Sequence, residues 1–441
     1  MPEEERLAWA RVLSAHPSRE PRAVSSGGPA AADDDANAVV LVVPVVPQTT
    51  GNGLAMRAGM LLEALASRCP VDLLMVPVSG PAAATAWAGG LARSLQIVGP
   101  AEGAAARRHV TLQLADATLR RRLQATAPLP LRVRAAPPTL AAVAFPEATA
   151  RTAPPQAVFV LRGYLAPFGC TLARRLSAKR IVIDVDDDDE QLARSSGALD
   201  EADAVARVAR AWLPEADVVC AAAHNEAHAI AARYGLSAVV TLPNAVRIPA
   251  RAPAPPPGDG RLLFVGNLTY APNVEAARLL VEEVLPLVLL EHPEVTVDLV
   301  GPHAGGLPER PGVRILGMVD ELEPCYRRAD VVVAPLLRGS GTRIKVLEAF
   351  AHRRPLAATT VAVAGLAVRD GRDVLIGDSP QALARAIVAL LDDPQAAARI
   401  VQCATRTLEA RYVQNVVAPL ICKLATGEPL ERGEAMPEEP R

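Results

Sequence analysis

Residues 329–358, ADVVVAPLLRGSGTRIKVLEAFAHRRPLAA, read as a strand, a glycine-rich turn, a helix and a second strand. Val331–Val333 is the short β-branched run that a parallel strand buried on both faces uses. Pro335 stops it, and Gly339, Ser340 and Gly341 supply a permissive turn. Thr342 stands at the N-cap position for a helix over Arg343–His352. Ile344, Leu347 and Ala351 recur at i, i+3 and i+7, so one face of that helix turns to the sheet. Arg354-Pro355 ends the helix, because the residue before a proline is driven out of helical geometry, and Leu356–Ala358 opens the next strand.

The turn carries the chemistry. A helix N-terminus behind a glycine turn presents unpaired backbone N–H groups and partial positive charge, which suits a phosphate. Arg343 and Lys345 add two cations in the first turn, where the helix dipole alone disfavours them, so an anion is expected to visit. Glu348 lies one turn further in, where a carboxylate can accept from a pair of sugar hydroxyls. A plainer reading stands beside this one. Lys345–Glu348 is also an ordinary i, i+3 surface pair, contributing about 0.2–0.5 kcal/mol, and a single glycine turn is a weak signal.

Outward from this unit the second half repeats the pattern. Strands are expected at Leu262–Val265, Val295–Val300, Val313–Leu316, Val331–Val333, Leu356–Thr359 and Val374–Ile376. Helices are expected at Val274–Leu290, Glu321–Arg328, Arg343–His352, Pro380–Leu391 and Pro394–Tyr412. Alternation of this kind builds a doubly wound parallel sheet. Gly266 and Asn267 end its first strand and Gly301 its second, at the strand-end edge where such sheets bind ligands. Upstream, the proline-rich Ile248–Gly260 reads as a semi-rigid linker.

The first half is a second α/β unit. Val39–Val46 is its first strand, followed by QTTGNG at Gln48–Gly53 and a helix over Leu54–Arg68. Gly51 and Gly53 let a backbone approach a ligand, but Met56 occupies the place of a third glycine, so this is no dinucleotide fingerprint. Further strands are expected at Val71–Val76, Leu95–Val98, Ala157–Leu161, Arg180–Asp184, Asp217–Ala221 and Ala238–Leu242. Helices are expected at Thr111–Gln124, Ala204–Leu213 and Asn225–Tyr234, and a loop over Ala127–Pro138. Arg162 falls at the ligand edge directly after the strand Ala157–Leu161. The acidic run Asp186–Glu190 follows Asp184; it suggests a hard cation by composition, a cleft-edge role for Asp184 or Asp186, or a solvated helix start for the rest. His224 and His228 sit in HNEAH, which lacks the glutamate position of a zinc-protease motif, and read as surface histidines.

Composition narrows the class. The chain has 441 residues, half of them hydrophobic but only 3% aromatic, so Ala and Val carry a large core. A net charge of -2 argues against a nucleic-acid partner. No apolar run of transmembrane length is present, and the acidic start has no secretory core. Six cysteines without a CxxC pair read as reduced thiols of a cytoplasmic protein.

Three ordered segments resemble one family. The 329–358 segment is similar to the nucleotide-binding segment of family-4 glycosyltransferases of the GT-B fold, whose pattern is close to APLR-G-GTR-K-LEA-A-G-P. LLFVGNLTYAPNVEAARLLVEEVLP at Leu262–Pro286 resembles the opening strand and helix of the same domain, and LPNAV at Leu242–Val246 the passage between domains. The resemblance implies two Rossmann-like doubly wound parallel-sheet domains facing across a cleft. The expected layout is a leader over 1–37, an acceptor domain over 38–247, the linker over 248–260 and a donor domain over 261–412. A helix over 413–425 crosses back to the first domain, and 426–441 is an acidic tail.

The implied activity is transfer of a sugar from a nucleotide-sugar to a glycan, a lipid-linked sugar or a small molecule, with retention and without a metal. The nucleotide-sugar is a co-substrate, and no cofactor is implied; peripheral membrane contact is left open. Arg343, Lys345 and Glu348 are the implied catalytic set, with Gly266, Asn267, Gly301, Gly339, Ser340, Gly341 and Thr342 around the donor. Gly51, Gly53, Arg57, Arg162, Asp184 and Asp186 are the implied cleft and acceptor contacts. The chain departs from the family pattern in three places. Ser340 holds the place of the first glutamate of a pair, Asn267 and the neutral YAPN hold those of an arginine and a lysine, and Ala362-Val363-Ala364-Gly365 replaces G-x-E-G. A non-catalytic module of the same fold is therefore the alternative.

Overall fold

The computed structural model describes residues 35–51, 53–76, 85–97, 153–249, 253–303, 305–307, 310–339 and 343–430. The expected features at Thr111–Gln124 and Ala127–Pro138 lie outside these residues. The described chain divides into two compact units, one running to Leu242 and taking up Ala418 onward, the other spanning Pro243–Val417.

The first unit is one seven-stranded sheet. Its strands are β1 (Val39–Val43), β2 (Val71–Met75), β3 (Ser94–Ile97), β4 (Ala157–Leu161), β5 (Ile181–Asp184), β6 (Val218–Ala221) and β7 (Val240–Thr241). The spatial order is β3-β2-β1-β4-β5-β6-β7, and every pairing is parallel. The central strands β1 and β4 are buried along their whole length, as continuous β-branched and aromatic runs covered on both faces require. Val40, Val42, Val158, Val160 and Ile183 share one core with Leu165, Phe168 and Leu172 and with Val208 and Trp212. Each such side chain contributes about 1.5–3 kcal/mol when fully withdrawn from water.

The second unit is a six-stranded parallel sheet. Its strands are β8 (Arg261–Val265), β9 (Thr296–Val300), β10 (Val313–Gly317), β11 (Val331–Ala334), β12 (Leu356–Ala358) and β13 (Leu375–Ile376). The order is β10-β9-β8-β11-β12-β13. In both sheets the order reverses direction beside the first strand, between β1 and β4 and between β8 and β11. Such a switch point leaves a crevice at the strand C-termini, the place where doubly wound sheets bind ligands.

Each expected strand is present among the described residues to within a few positions, except that β1 stops at Val43, short of the Val46 expected. The helices differ more. The expected helix Val274–Leu290 is instead α-helical over Ala271–Arg278, widens to a π-helix over Leu279–Val284 and closes over Leu285–Val288. Pro286 has no N–H for the carbonyl one turn back, and the wider turn absorbs that loss. The helix Ala166–Leu176 was not anticipated, and the helix start expected in the acidic run opens the helix Asp189–Ser195. The helix expected over Arg343–His352 runs Ile344–Ala351.

The proline-rich stretch is held against the second unit. The Asp330 carboxylate accepts from the Gly258 N–H at 2.6 Å and the Arg261 N–H at 2.8 Å, and the buried Arg354 donates to the Ala254 carbonyl at 2.6 Å. The last described helix, Gln414–Thr426, straddles the division between units. Among the described residues no helix is long and apolar enough to cross a membrane.

Candidate functional site

In the second unit the switch point gathers most of the residues expected around a donor. Gly266 follows β8, and Gly301 follows β9 at a φ of 136°. A Cβ on Gly301 would lie 1.9 Å from the Gly266 carbonyl oxygen, so only glycine lets the two strand ends meet. Asn267 is exposed; its side chain accepts from the Thr269 N–H at 2.9 Å, and its carbonyl accepts from Asn273 Nδ2 at 2.9 Å. Gly339 ends the described part of the glycine turn at a φ of 143°. Ser340, Gly341 and Thr342 lie outside the described residues.

Lys345 sits in the first turn of the helix Ile344–Ala351 and points across the switch point. Its Nζ donates to Asn273 Oδ1 at 2.7 Å and lies 4.8 Å from the centroid of the Phe264 ring on β8. Among the described residues no carboxylate comes within ion-pair distance of this ammonium. Burial, and then the positive charge of Arg343, push its pKa down to about 7, against the pull of Glu348. Glu348, one turn on, is pushed up to about 7 by burial, although a hydrogen bond from Tyr326 and the charge of Lys345 both oppose the rise. Both residues are half-buried, so neither is the fully solvated side chain of the plainer reading.

Arg343 stands at the N-cap position of this helix. Its Nη2 donates to the Gly339 carbonyl at 2.7 Å and its Nε to the Val361 carbonyl at 3.2 Å, so the guanidinium braces the glycine turn. Arg338 before the turn forms a bidentate pair with Glu275 at 2.8 and 2.6 Å. The helix Ala271–Arg278 thus holds both flanks of the turn, through Glu275 and Asn273.

In the first unit Arg57, Arg162, Asp184 and Asp186 come together at the C-terminal ends of β4 and β5. Arg57 is 1% exposed. It meets both oxygens of Asp184, at 2.7 and 2.8 Å, and also donates to the Leu242 carbonyl at 2.8 Å. Arg57 is therefore not solvated, and with Asp184 fully buried the pair supports the sheet edge from within. Arg162 binds Asp186 at 3.1 Å, Asp187 at 2.8 Å and also Asp189. Both Arg162, at a φ of 81°, and Asp186, at 62°, hold left-handed backbone that non-glycine residues seldom adopt. Burial, helped by the charges of Asp187 and Asp184, lifts Asp186 to about 8 against the two guanidiniums.

The solvated helix start expected for the rest of the acidic run is corrected here. Asp188, Asp189 and Glu190 are all buried. Asp188 caps its helix at the Gln191 N–H and pairs with Arg233 at 2.8 Å; Glu190 pairs with Arg194 at 2.8 Å and accepts from the Tyr234 hydroxyl. Arg57, which also meets Asp186 at 3.3 Å, together with Arg162, Arg194 and Arg233 neutralises the run, and among the described residues no cluster suited to a metal ion exists. Gly51, at a φ of 110°, and Gly53, at the start of the helix Gly53–Ala66, are both exposed in the loop after β1. His224 and His228 touch edge to face at 4.4 Å, half-buried and exposed respectively.

Two residues of the second site were missed from sequence. Asn273 is the last residue of the YAPN tetrad that departs from the family pattern, and its amide reaches Lys345 across the switch point. Tyr326 belongs to a helix of one and a half turns, Glu323–Arg328, and its hydroxyl donates to Glu348 Oε2 at 3.3 Å. Nothing in local spacing marks either residue, because the contacts span 72 and 22 positions of chain.

The family model described as Glycosyl transferases group 1 matches residues 259–393. The chain is 28% identical over 238 residues to a glycogen synthase of Mycobacterium tuberculosis, covering 50% of this chain and 56% of that protein. It is 32% identical over 206 residues to a phosphatidyl-myo-inositol mannosyltransferase of Mycobacterium leprae, covering 43% of this chain and 53% of that protein. The chain thus spans little more than half the length of these two relatives. Among solved structures, HepE of Anabaena in complex with UDP and glucose superposes with a TM-score of 0.56 at 14% identity, over 87% of this chain and 98% of that one. The fold is GT-B in its two parallel-sheet α/β units.

Proposed function

We propose, from the premise that the second unit is a group 1 glycosyltransferase domain of the GT-B fold, that the chain transfers a sugar from a nucleotide-sugar to an acceptor hydroxyl. The observation that carries this reading is Lys345: a desolvated ammonium at the switch point of a doubly wound sheet, held by a neutral amide and an aromatic face. Among the described residues no carboxylate pairs with this half-buried ammonium, and a bound anion would favour its charged form. The diphosphate of a nucleotide-sugar is such an anion, and a fold neighbour that holds UDP with glucose supports the choice.

In this reading Glu348 accepts from the ribose hydroxyls, and Lys345 meets the diphosphate. Arg343 acts chiefly by bracing Gly339, through the bond to its carbonyl. The bond from the sugar's anomeric carbon to the diphosphate oxygen breaks, and the electron pair leaves with the diphosphate. The acceptor oxygen forms the new bond, and its proton passes to an oxygen of the departing diphosphate. Charge grows on the diphosphate as the sugar departs, so the cation and N–H groups act where the transition state needs them. Retention is implied by the family resemblance, and the acceptor is assigned to the first unit. The reaction runs without a metal or cofactor in this account, since Lys345 supplies positive charge. We place the protein in the cytoplasm, in keeping with its six free thiols.

A thermal-shift screen against UDP, GDP, TDP and ADP, each with Mg²⁺ and with EDTA, tests the reading. One diphosphate should stabilise the protein by about 2.7 kcal/mol at 100 times its Kd, equally in both conditions. Silence across the set would overturn it, and binding with no turnover of the matching nucleotide-sugars across a panel of acceptors would favour the non-catalytic module.

A further inference from the structure

We infer that Tyr326 is a positioning residue for the nucleotide ribose: its hydroxyl ties down Glu348 Oε2 and leaves Oε1 to the ribose hydroxyls. The inference rests on the reading of Glu348 given above. Tyr326 is fully buried, and its phenol donates to a side chain that the proposed site uses. At 3.3 Å the bond is long for a hydroxyl donor, and burial of the ring and half-burial of the carboxyl shield it from competing water.

The ring is fixed as well. Tyr326 stacks on His352 with centroids 4.3 Å apart and planes 4° from parallel. His352 directly follows the helix that carries Glu348, so Tyr326 holds that helix at two points, the carboxyl and the ring. Burial keeps His352 neutral at physiological pH, with its pKa pushed down to about 4 against the charge of Glu323 and with the help of Arg354. Burial, then Glu348, raise the Tyr326 phenol well above its ordinary range, so it stays a donor. The titratable groups facing Glu348 are the neutral Tyr326 from the helix Glu323–Arg328 and Lys345 from its own helix. A carboxylate free at both oxygens could rotate and accept in several poses. One held at Oε2 presents Oε1 in a fixed plane, where its two lone pairs can accept from both hydroxyls of a vicinal diol.

Tyr326→Phe keeps the ring and removes only the donor. Calorimetric titration with UDP and with 2′-deoxy-UDP across pH 5.5–8.5 gives the test. The variant should weaken UDP at pH 7 by about three- to tenfold, the weight of one hydrogen bond. It should bring the two ligands closer in affinity and move the acid limb of UDP binding to higher pH, because Glu348 has lost a group that favours its charge. In a Glu348→Gln background Tyr326→Phe should have no further effect on the ribose preference.

A wild-type acid limb and ribose preference in folded Tyr326→Phe would overturn the inference and leave Tyr326 as core. If Tyr326→Phe does not fold, the comparison is made with Tyr326→His, which keeps a ring but moves the donor; a wild-type acid limb and ribose preference in that folded variant would equally overturn the inference. If Glu348→Ala itself binds UDP as wild type does, the reading of the site fails, a result distinct from failure of Tyr326 alone.

Discussion

Lys345 Nζ lies 2.7 Å from Asn273 Oδ1, an amide 72 positions earlier in the chain, and this pairing joins the two elements that flank the switch point. The amide satisfies one donor of the ammonium without neutralising it. A carboxylate there would have held the charge permanently and repelled a diphosphate. Asn273 is therefore the residue that keeps Lys345 positioned yet available.

Asn273→Asp tests that relationship. A carboxylate at this place would pair with Lys345, raise its pKa above 7 and fill the diphosphate position with negative charge. Affinity for the diphosphate should fall by at least about tenfold, equivalent to roughly 1.4 kcal/mol. Asn273→Ala, which removes the amide but adds no charge, should do less. Calorimetric titration of both variants at pH 7 separates the two outcomes.

Affinity for the nucleoside diphosphate should also be bell-shaped in pH, centred near 7. Binding wants Lys345 charged and Glu348 ionised, while burial holds each near 7 in the free protein. Above 7, Lys345 is neutral and must take up a proton on binding, so affinity falls with rising pH. Below 7, Glu348 is protonated and must release one, so affinity falls with falling pH. Each limb approaches about tenfold per pH unit, the slope of one linked proton. Lys345→Met should abolish the alkaline limb and Glu348→Gln the acid limb. Titration in buffers of different ionisation enthalpy reports the proton count directly.

The network in the first unit makes a prediction about stability. Arg57→Met would leave Asp184 buried without its guanidinium, at a cost of about 3–5 kcal/mol. Removing both charges together, as Arg57→Met with Asp184→Leu, should recover most of that loss. Urea denaturation of the two variants checks it. Equal losses in the single and double variants would mean that packing, and not the charge pair, sets the stability of this edge.

The two sheets were legible because parallel strands buried on both faces must be written as short apolar runs. Val331–Val333, Ala157–Leu161 and Val39–Val46 leave little else to choose. The glycine turn was legible because Gly339 carries a φ that other residues avoid, and the phosphate reading followed from the two cations beside it. Other features were hidden for physical reasons. The burial of Asp188, Asp189 and Glu190 depends on Arg162, Arg194 and Arg233, and Arg162 and Arg233 lie well outside the run, so a local reading found only a polar helix start. The desolvation of Lys345 depends on Phe264 and Asn273 from another strand and helix, so the i, i+3 pair looked solvated. The π-helical turn before Pro286 replaces a kink with a wider turn, a choice that packing makes and periodicity does not reveal.

The central claim is that Lys345 and Glu348 hold a nucleoside diphosphate without a metal. Its most direct test is calorimetric titration, at pH 7 in EDTA, of the diphosphate that gives the largest thermal shift into wild-type, Lys345→Ala and Glu348→Ala protein. The account predicts one site per chain in the wild type and a loss of affinity of at least about tenfold in each variant, with melting behaviour of the free proteins unchanged. Wild-type affinity in either variant, or binding that appears only when Mg²⁺ is added, would contradict it.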